Sequence, residues 1–319
     1  MSSMRKLERD FAHADAAAVN GLLAQLGDED VMARFGLEAR LADLQAEIAR
    51  LDAAGDEPVA SAALFFGGRP VLGQRGIESE FAGTVITKFQ DIVAKVLARE
   101  NGVLGQRGVV ANKAASTLHI TNIVRGSFGF LLEEAGAQHQ IVETPLRAAV
   151  DEATRLLDAF GEPDEEVFRT AIETIDERLL ATTRDFFNIM HSSGATLRLV
   201  SGGTDRSFGA EAVERAAERA TSTTVQDSEE ILRGQLGGVL PDAHQFEFRI
   251  GEPQGTIRGR IDRGLSTDVL SRYNRDWVNV DAIARVRVKR VRRNDAIVRE
   301  TYTLTSIEAS DALELNHTT

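Results

Sequence analysis

Between residues 228 and 309 apolar and polar residues alternate in short runs, and this constrains the fold more than any other feature of the chain. Ile257, Gly259 and Ile261 face one way, while Arg258 and Arg260 face the other. Val278, Val280, Ala282, Ala284, Val286 and Val288 line one face of a longer run. A period of two marks a strand with one covered side. Strands are predicted at roughly 230–240, 244–250, 255–262, 277–291 and 297–307, with a helix over Ser266–Asn274. Five strands with a helix after the third is the order of a small OB-like barrel. Phe246 and Phe248 share a face with Ile250, and Tyr302 goes with Val298 and Leu304, so these aromatics are expected in its core.

Upstream the period changes to that of helices. Leu7, Phe11, Ala14, Ala18 and Leu22, preceded by Met4, recur at three- and four-residue steps. A second stripe runs through Leu37, Leu41, Leu44, Ile48 and Leu51, and Gly27-Asp28-Glu29-Asp30 separates the two. Narrow stripes of this kind make a helical hairpin or a seam for self-association. After a break at Asp52–Pro58 comes a buried strand, Val59–Phe66, then a glycine-rich loop and a helix from Ser79 to about Arg99. Thr117–Val124 and Ser127–Leu132 read as strands joined at Arg125-Gly126. Thr144-Pro145 opens a helix that ends near Phe160, because Pro suits the first helical position and Gly161 a helix end. One long helix is predicted from Asp164 to His191, then a strand over Ala195–Val200 and a short helix over Ala210–Ala220.

Strands and helices are mixed without regular alternation, so the class is α+β rather than doubly wound. The expected parts are a helical hairpin (1–55), an α+β domain with glycine-rich loops (56–225), the small barrel (226–309) and a polar tail (310–319).

Cysteine is absent from the 319 residues, which excludes disulfides, thiolate catalysis and cysteine-ligated metal sites. The N-terminus lacks the apolar stretch of a secretory signal, and Val59–Phe66 is too short to span a bilayer, so a cytoplasmic protein off the membrane is expected. Net charge is −12; residues 228–319 hold 14 basic and 14 acidic residues, so the whole excess lies upstream. An acidic body repels nucleic acid and a neutral barrel tolerates it. His13, His119, His139, His191, His244 and His317 form no metal-ligand spacing, so no metal and no cofactor is expected.

Six residues occur twice: Val71-Leu72-Gly73-Gln74-Arg75-Gly76 returns as Val103-Leu104-Gly105-Gln106-Arg107-Gly108. Glycine-rich loops beside helices can cradle phosphate, and Arg69, Arg75 and Arg107 would add donors. Gly73, Gly76, Gly105 and Gly108 are therefore candidate ligand-binding positions. The spacing is neither Walker A nor a dinucleotide fingerprint, and Glu78 puts a negative charge where an anion would sit. The simpler account is two structural turns. No nucleophile, base and orienting group stand in a catalytic spacing around Ser127 or elsewhere. On the barrel, Arg285, Arg287 and Lys289 alternate with apolar residues and point outward, with Arg258 and Arg260 alongside and Trp277 on the same face. Such a row can track a phosphate backbone, and the competing account is a solvated face or one docked on the chain's own carboxylates.

Phe65-Phe-Gly-Gly-Arg-Pro-Val71 and Arg125-Gly-Ser-Phe-Gly-Phe-Leu-Leu-Glu-Glu134 resemble a group of bacterial proteins without an assigned activity. The resemblance spans about residues 30–135 and implies a bacterial, cytosolic origin; a role in a multi-component system such as phage defence is consistent with it. The expected function is a non-catalytic interaction or scaffold subunit that self-associates and recognises a protein partner or ligand. The alternatives are nucleic-acid binding by the barrel and a phosphate- or nucleotide-binding enzyme using the Arg75 and Arg107 loops.

Overall fold

A computed structural model describes residues 3–27, 30–53, 59–100, 113–124, 128–135, 142–173, 175–251 and 255–309. The fold is α+β, with an N-terminal helical pair and a C-terminal closed five-stranded barrel. The chain divides into two compact units: Met1–Phe168 with Ala181–Ala220, and Arg169–Leu180 with Thr221–Thr319.

In the first unit, helices α1 (Ser3–Gln25) and α2 (Val31–Ala53) pair along their length. Strands β1 (Ser61–Gly68), β2 (Leu118–Val124), β3 (Phe128–Glu134), β4 (Ala195–Ser201) and β5 (Thr204–Phe208) form an antiparallel sheet in the order β2-β3-β1-β4-β5. β1 is central, and Ala62 to Phe66 are buried on both faces, as a continuous apolar run requires. On one face Leu7 of α1 packs on Ala63, Phe65, Leu131 and Val200. The Ser3 backbone N–H donates to Ser61 Oγ at 2.8 Å and ties the start of α1 to the middle of the sheet.

Helices α3 (Ser79–Glu100), α4 (Pro145–Gly161), α5 (Glu165–Ile172), α6 (Glu177–Ser192) and α7 (Ala210–Ser222) follow along the chain. Thr144 caps α4 by accepting from the Arg147 N–H at 3.1 Å, with Pro145 at the first position. At the other end of α4, Arg215 donates to the Gly161 carbonyl and Arg219 to those of Phe160 and Glu162. Arg219 is 2% exposed, lies 4.6 Å over the Phe168 ring and pairs with Glu165 at 3.0 Å. A cation against the negative end of a helix stabilises it.

The long helix expected over Asp164–His191 is two helices. Asp176 interrupts it: its Oδ1 accepts from the Leu179 N–H at 2.9 Å, which makes it a helix start rather than a mid-helix residue. Ile172, Ile175 and Leu179 are all buried, as the helical stripe required. The break falls within 169–180, the segment that belongs to the second unit.

The second unit is built on β6 (Thr223–Leu240), β7 (Gln245–Arg249), β8 (Thr256–Ile261), β9 (Asp281–Arg293) and β10 (Ala296–Ala309), with α8 (Thr267–Trp277) between β8 and β9. The strands close in the order β10-β8-β7-β6-β9. Every pairing is antiparallel except β8 with β10, where Thr303 lies against Arg260 and Leu304 against Ile261. That is the OB order: first strand to second and fourth, third parallel to fifth. Phe246, Phe248, Val286, Val288, Leu304 and Leu236 fill the interior, and Leu270 of α8 closes one end of it. Gly234 is needed where β6 crosses β7, because a Cβ there would stand 2.0 Å from the Arg249 carbonyl oxygen.

Candidate functional site

The first copy of the repeat is a closed turn. Gly68 and Gly73 take positive φ of 85° and 56°, and Val71 bridges to Ile77. The N–H groups of Leu72, Arg75 and Glu78 donate to the carbonyls of Gly76, Leu72 and Pro70 at 2.8, 3.0 and 2.9 Å. These N–H groups are thus spent inside the loop and not offered to an anion. Arg75 is exposed and, among the described residues, has no ion-pair partner. Arg69 is committed elsewhere. Its guanidinium donates to the carbonyls of Ser192 and Ser193 at 2.7 and 3.2 Å, and its backbone N–H to that of Gly194 at 3.2 Å. It therefore caps the C-terminus of α6, a use of cationic donors that the macrodipole favours. Gly194 has φ of 57°, and a Cβ there would meet Arg69 Nε at 2.7 Å. Gly76 sits in the turn as the acceptor for Leu72. The second copy, with Gly105, Arg107 and Gly108, lies outside the described residues, as do Arg125-Gly126-Ser127.

On the barrel the β9 cations point outward as expected and meet oxygens of the same unit. Arg285 pairs with Glu308 at 3.3 Å and Arg287 with Asp262 at 3.8 Å. Lys289 donates to the Glu173 carbonyl at 3.3 Å. The register explains the crowding of charge: Glu229 of β6 stands opposite Arg287, and Asp227 opposite Lys289. Arg258 pairs with Glu247 at 3.1 Å, and Arg260 is exposed with no ion-pair partner among the described residues. Trp277 is not on this face. It is the last residue of α8, half-buried against the barrel core, because the strand expected from 277 begins only at Asp281. Trp277 therefore offers this row no stacking platform.

Arg290, by contrast, turns to a polar cluster with Glu230, Glu300 and Ser228. Its guanidinium holds Glu230 below the usual carboxylate range. Burial, together with Glu300 alongside, pushes the Tyr302 phenol up to about 12, so Tyr302 stays protonated at neutral pH. In the first unit a second ionic group joins α1 to the sheet. Arg198 of β4 donates twice to Asp205 of β5, at 2.9 and 2.7 Å, and Lys6 of α1 donates to the same carboxylate at 2.9 Å. The Arg198 hydrogen bonds, with those of Lys6, hold Asp205 at about 2 despite partial burial. Neither cluster was singled out from the sequence. Their members lie up to 199 residues apart, and nothing local marks them.

The helical hairpin leaves large apolar side chains in solvent. The stripe read from α1 is buried only at its base, where Leu7 meets the sheet. Phe11, Ala14, Ala18 and Leu22 are exposed, and the buried positions of the helix beyond Leu7 are Ala12, Ala16 and Val19. On α2 the stripe Leu37, Leu41, Leu44 and Ile48 is half-buried and Leu51 fully so. Val31, Met32 and Phe35 stand in solvent at 64%, 84% and 70% exposure. Charges link the two helices at Arg9–Asp52 and Arg40–Asp15. The α1 stripe was legible as a heptad. Its partner was not α2, so the covered residues are the set on the next face round.

Among the described residues no group of three or more His, Asp or Glu is placed to hold a metal ion, and no helix is long and apolar enough to cross a membrane. No family model, curated protein or solved structure matches the chain.

Proposed function

We propose that this chain is a non-catalytic interaction subunit that self-associates through its N-terminal helical hairpin and presents further surface to a protein partner. The observation that carries this reading is the exposure of Met32 and Phe35, one turn apart on α2, a helix whose leucine stripe is half-buried or buried. Clustered large apolar side chains on an otherwise charged surface mark a contact site. A place in a multi-component system such as phage defence belongs to the same reading, and a bacterial cytosolic setting suits it. Light scattering on the purified chain should return a multiple of 34.7 kDa. The Met32→Glu/Phe35→Glu variant should shift toward the single-chain mass without losing helical signal. A wild-type chain that stays single at micromolar concentration ends the proposal.

Nucleic-acid binding by the barrel has the OB strand order and the exposed Arg258 and Arg260 in its favour. Against it, the β9 row is engaged by its own unit's oxygens. Phosphate binding at the repeated loops rests on Arg75 alone among the described arginines there, since Arg69 caps a helix. A phosphate-bearing ligand that raises the melting temperature of the wild type but not of Arg75→Ala would support it.

A further inference from the structure

Helix α2 carries a second apolar stripe, separate from the one that meets α1. Met32, Phe35, Ala39, Ala42, Ala46 and Ala49 follow one another at steps of three and four, and every one is exposed. That is an unbroken a/d heptad pattern, whose 3.5-residue period suits a left-handed helical seam. Every charged residue of α2 lies off this stripe. Exposed alanine by itself reflects helix propensity. Propensity explains neither the strict register nor the two large side chains that open it.

We infer that this stripe is the self-association seam, and that its occupant is α2 of a second copy running antiparallel. The inference rests on the proposed self-association and specifies its surface and direction. Size complementarity sets the register. When Phe35 lies opposite Ala46 of the second copy, Met32 falls opposite Ala49 and Ala39 opposite Ala42. Each large side chain then meets a small one and the helices keep even spacing along the seam. In a parallel pair Phe35 would face Phe35 and Met32 would face Met32 at one end, with alanine alone at the other, and the helices would splay. Charge points the same way. Glu38 and Gln45 flank the stripe on one side, Gly36 and Asp43 on the other. The antiparallel register sets Glu38 beside Gln45 and Asp43 beside Gly36. The parallel one sets Glu38 against Asp43 twice, a like-charge contact that destabilises. An antiparallel seam is isologous, so it closes at two copies and gives a row of four helices with the two α2 helices inside and both α1 helices outside the new contact.

The chain contains no cysteine, so introduced thiols report contacts unambiguously. The full-length Phe35→Cys/Ala46→Cys variant, oxidised at low micromolar concentration, should convert most chains to a covalent dimer on a non-reducing gel. Ala46→Cys alone should not cross-link, because its two copies would lie eleven residues apart, about 16 Å along the helix, beyond the ~7 Å that a disulfide tolerates between Cα atoms. The two thiols of one chain are separated by the same distance and cannot close on each other. Both variants should keep the wild-type helical signal when reduced, since neither side chain is buried within the single chain. Cross-linking by Ala46→Cys alone would overturn the direction in favour of a parallel seam. A wild-type dimer by light scattering with no cross-link in the double variant would overturn the surface while sparing self-association. A single-chain mass for the wild type would remove both.

Discussion

The barrel and the hairpin treat similar residue patterns in opposite ways. In the barrel the inward rows of β6 to β10 are buried to a few per cent or less at Phe248, Val286, Val288 and Leu304, and the outward cations of β9 meet carboxylates or carbonyls of the same unit. A closed sheet supplies each strand with two neighbours, so its alternation is used up internally. A two-helix hairpin gives each helix one long neighbour, and an apolar helix face without a neighbour stays in water. The most exposed large apolar side chain among the described residues, Met32, is therefore on the hairpin, with Phe35 beside it at 70%, while the β9 cations that look available on the barrel are partnered. Contact chemistry should be sought where the fold runs out of cover, not where charge is densest in the sequence.

The contrast can be broken most sharply with two phenylalanines. Phe248→Ala in the barrel should cost about 3–5 kcal/mol in denaturant unfolding, the usual loss for a buried ring. Phe35→Ala should change stability of a single chain by about 0.5 kcal/mol or less and act on assembly mass instead. Equal effects on stability would mean that the hairpin face is covered within the chain. Next in size is Gly234→Ala. It should destabilise the β6–β7 contact by roughly 1–3 kcal/mol, because the added Cβ must displace a backbone carbonyl; an unchanged denaturation midpoint would contradict the close crossing.

A smaller effect is expected at the junction of α1 with the sheet. Asp205→Asn removes the negative charge and one of the two oxygens that Lys6 and Arg198 share, and should cost about 1 kcal/mol or less, given its partial exposure. The pH dependence follows from the depressed pKa. Stabilisation by Asp205 is complete above the ordinary carboxyl value near 4, declines below it, and is lost as pH falls through about 2. Acid titration of the wild type and of Asp205→Asn should therefore converge at low pH. The smallest effect is predicted for the barrel's basic row. Arg285→Glu, Arg287→Glu and Lys289→Glu together should leave binding to single-stranded nucleic acid at low salt as weak as in the wild type. If the wild type binds, with affinity falling by roughly 0.7–0.9 log units per phosphate for each tenfold rise in salt, and the triple variant does not, the barrel becomes the functional surface.

Element type was legible wherever a period ran long enough. The barrel strands, α8, β1, α3 and α4 follow from alternation or from three- and four-residue steps, whereas the helix start at Asp176 was missed because the apolar stripe Phe168, Ile172, Ile175 and Leu179 runs across it without interruption. Strand β5 was missed, because Thr204–Phe208 follows a Ser-Gly-Gly turn and holds only Phe208 on its buried side. Trp277 was placed on the wrong face because Val278 and Val280 extend the alternation of β9 backward across a turn in which Asn279 takes positive φ. On α2 the leucine stripe concealed an equally regular alanine stripe, since large side chains dominate any reading of hydrophobic period.

Periodicity, glycine and proline placement and the missing cysteine were enough to specify an α+β chain with a helical pair and an OB-ordered barrel, because those signals act over a few residues. Cover is a different matter. Whether Arg69 serves a ligand or a helix end, whether Arg287 is free or held by Asp262, and which face of α1 is dry depend on residues tens to hundreds of positions away. Only the assembled fold brings those residues within the few ångströms over which burial and hydrogen bonding operate.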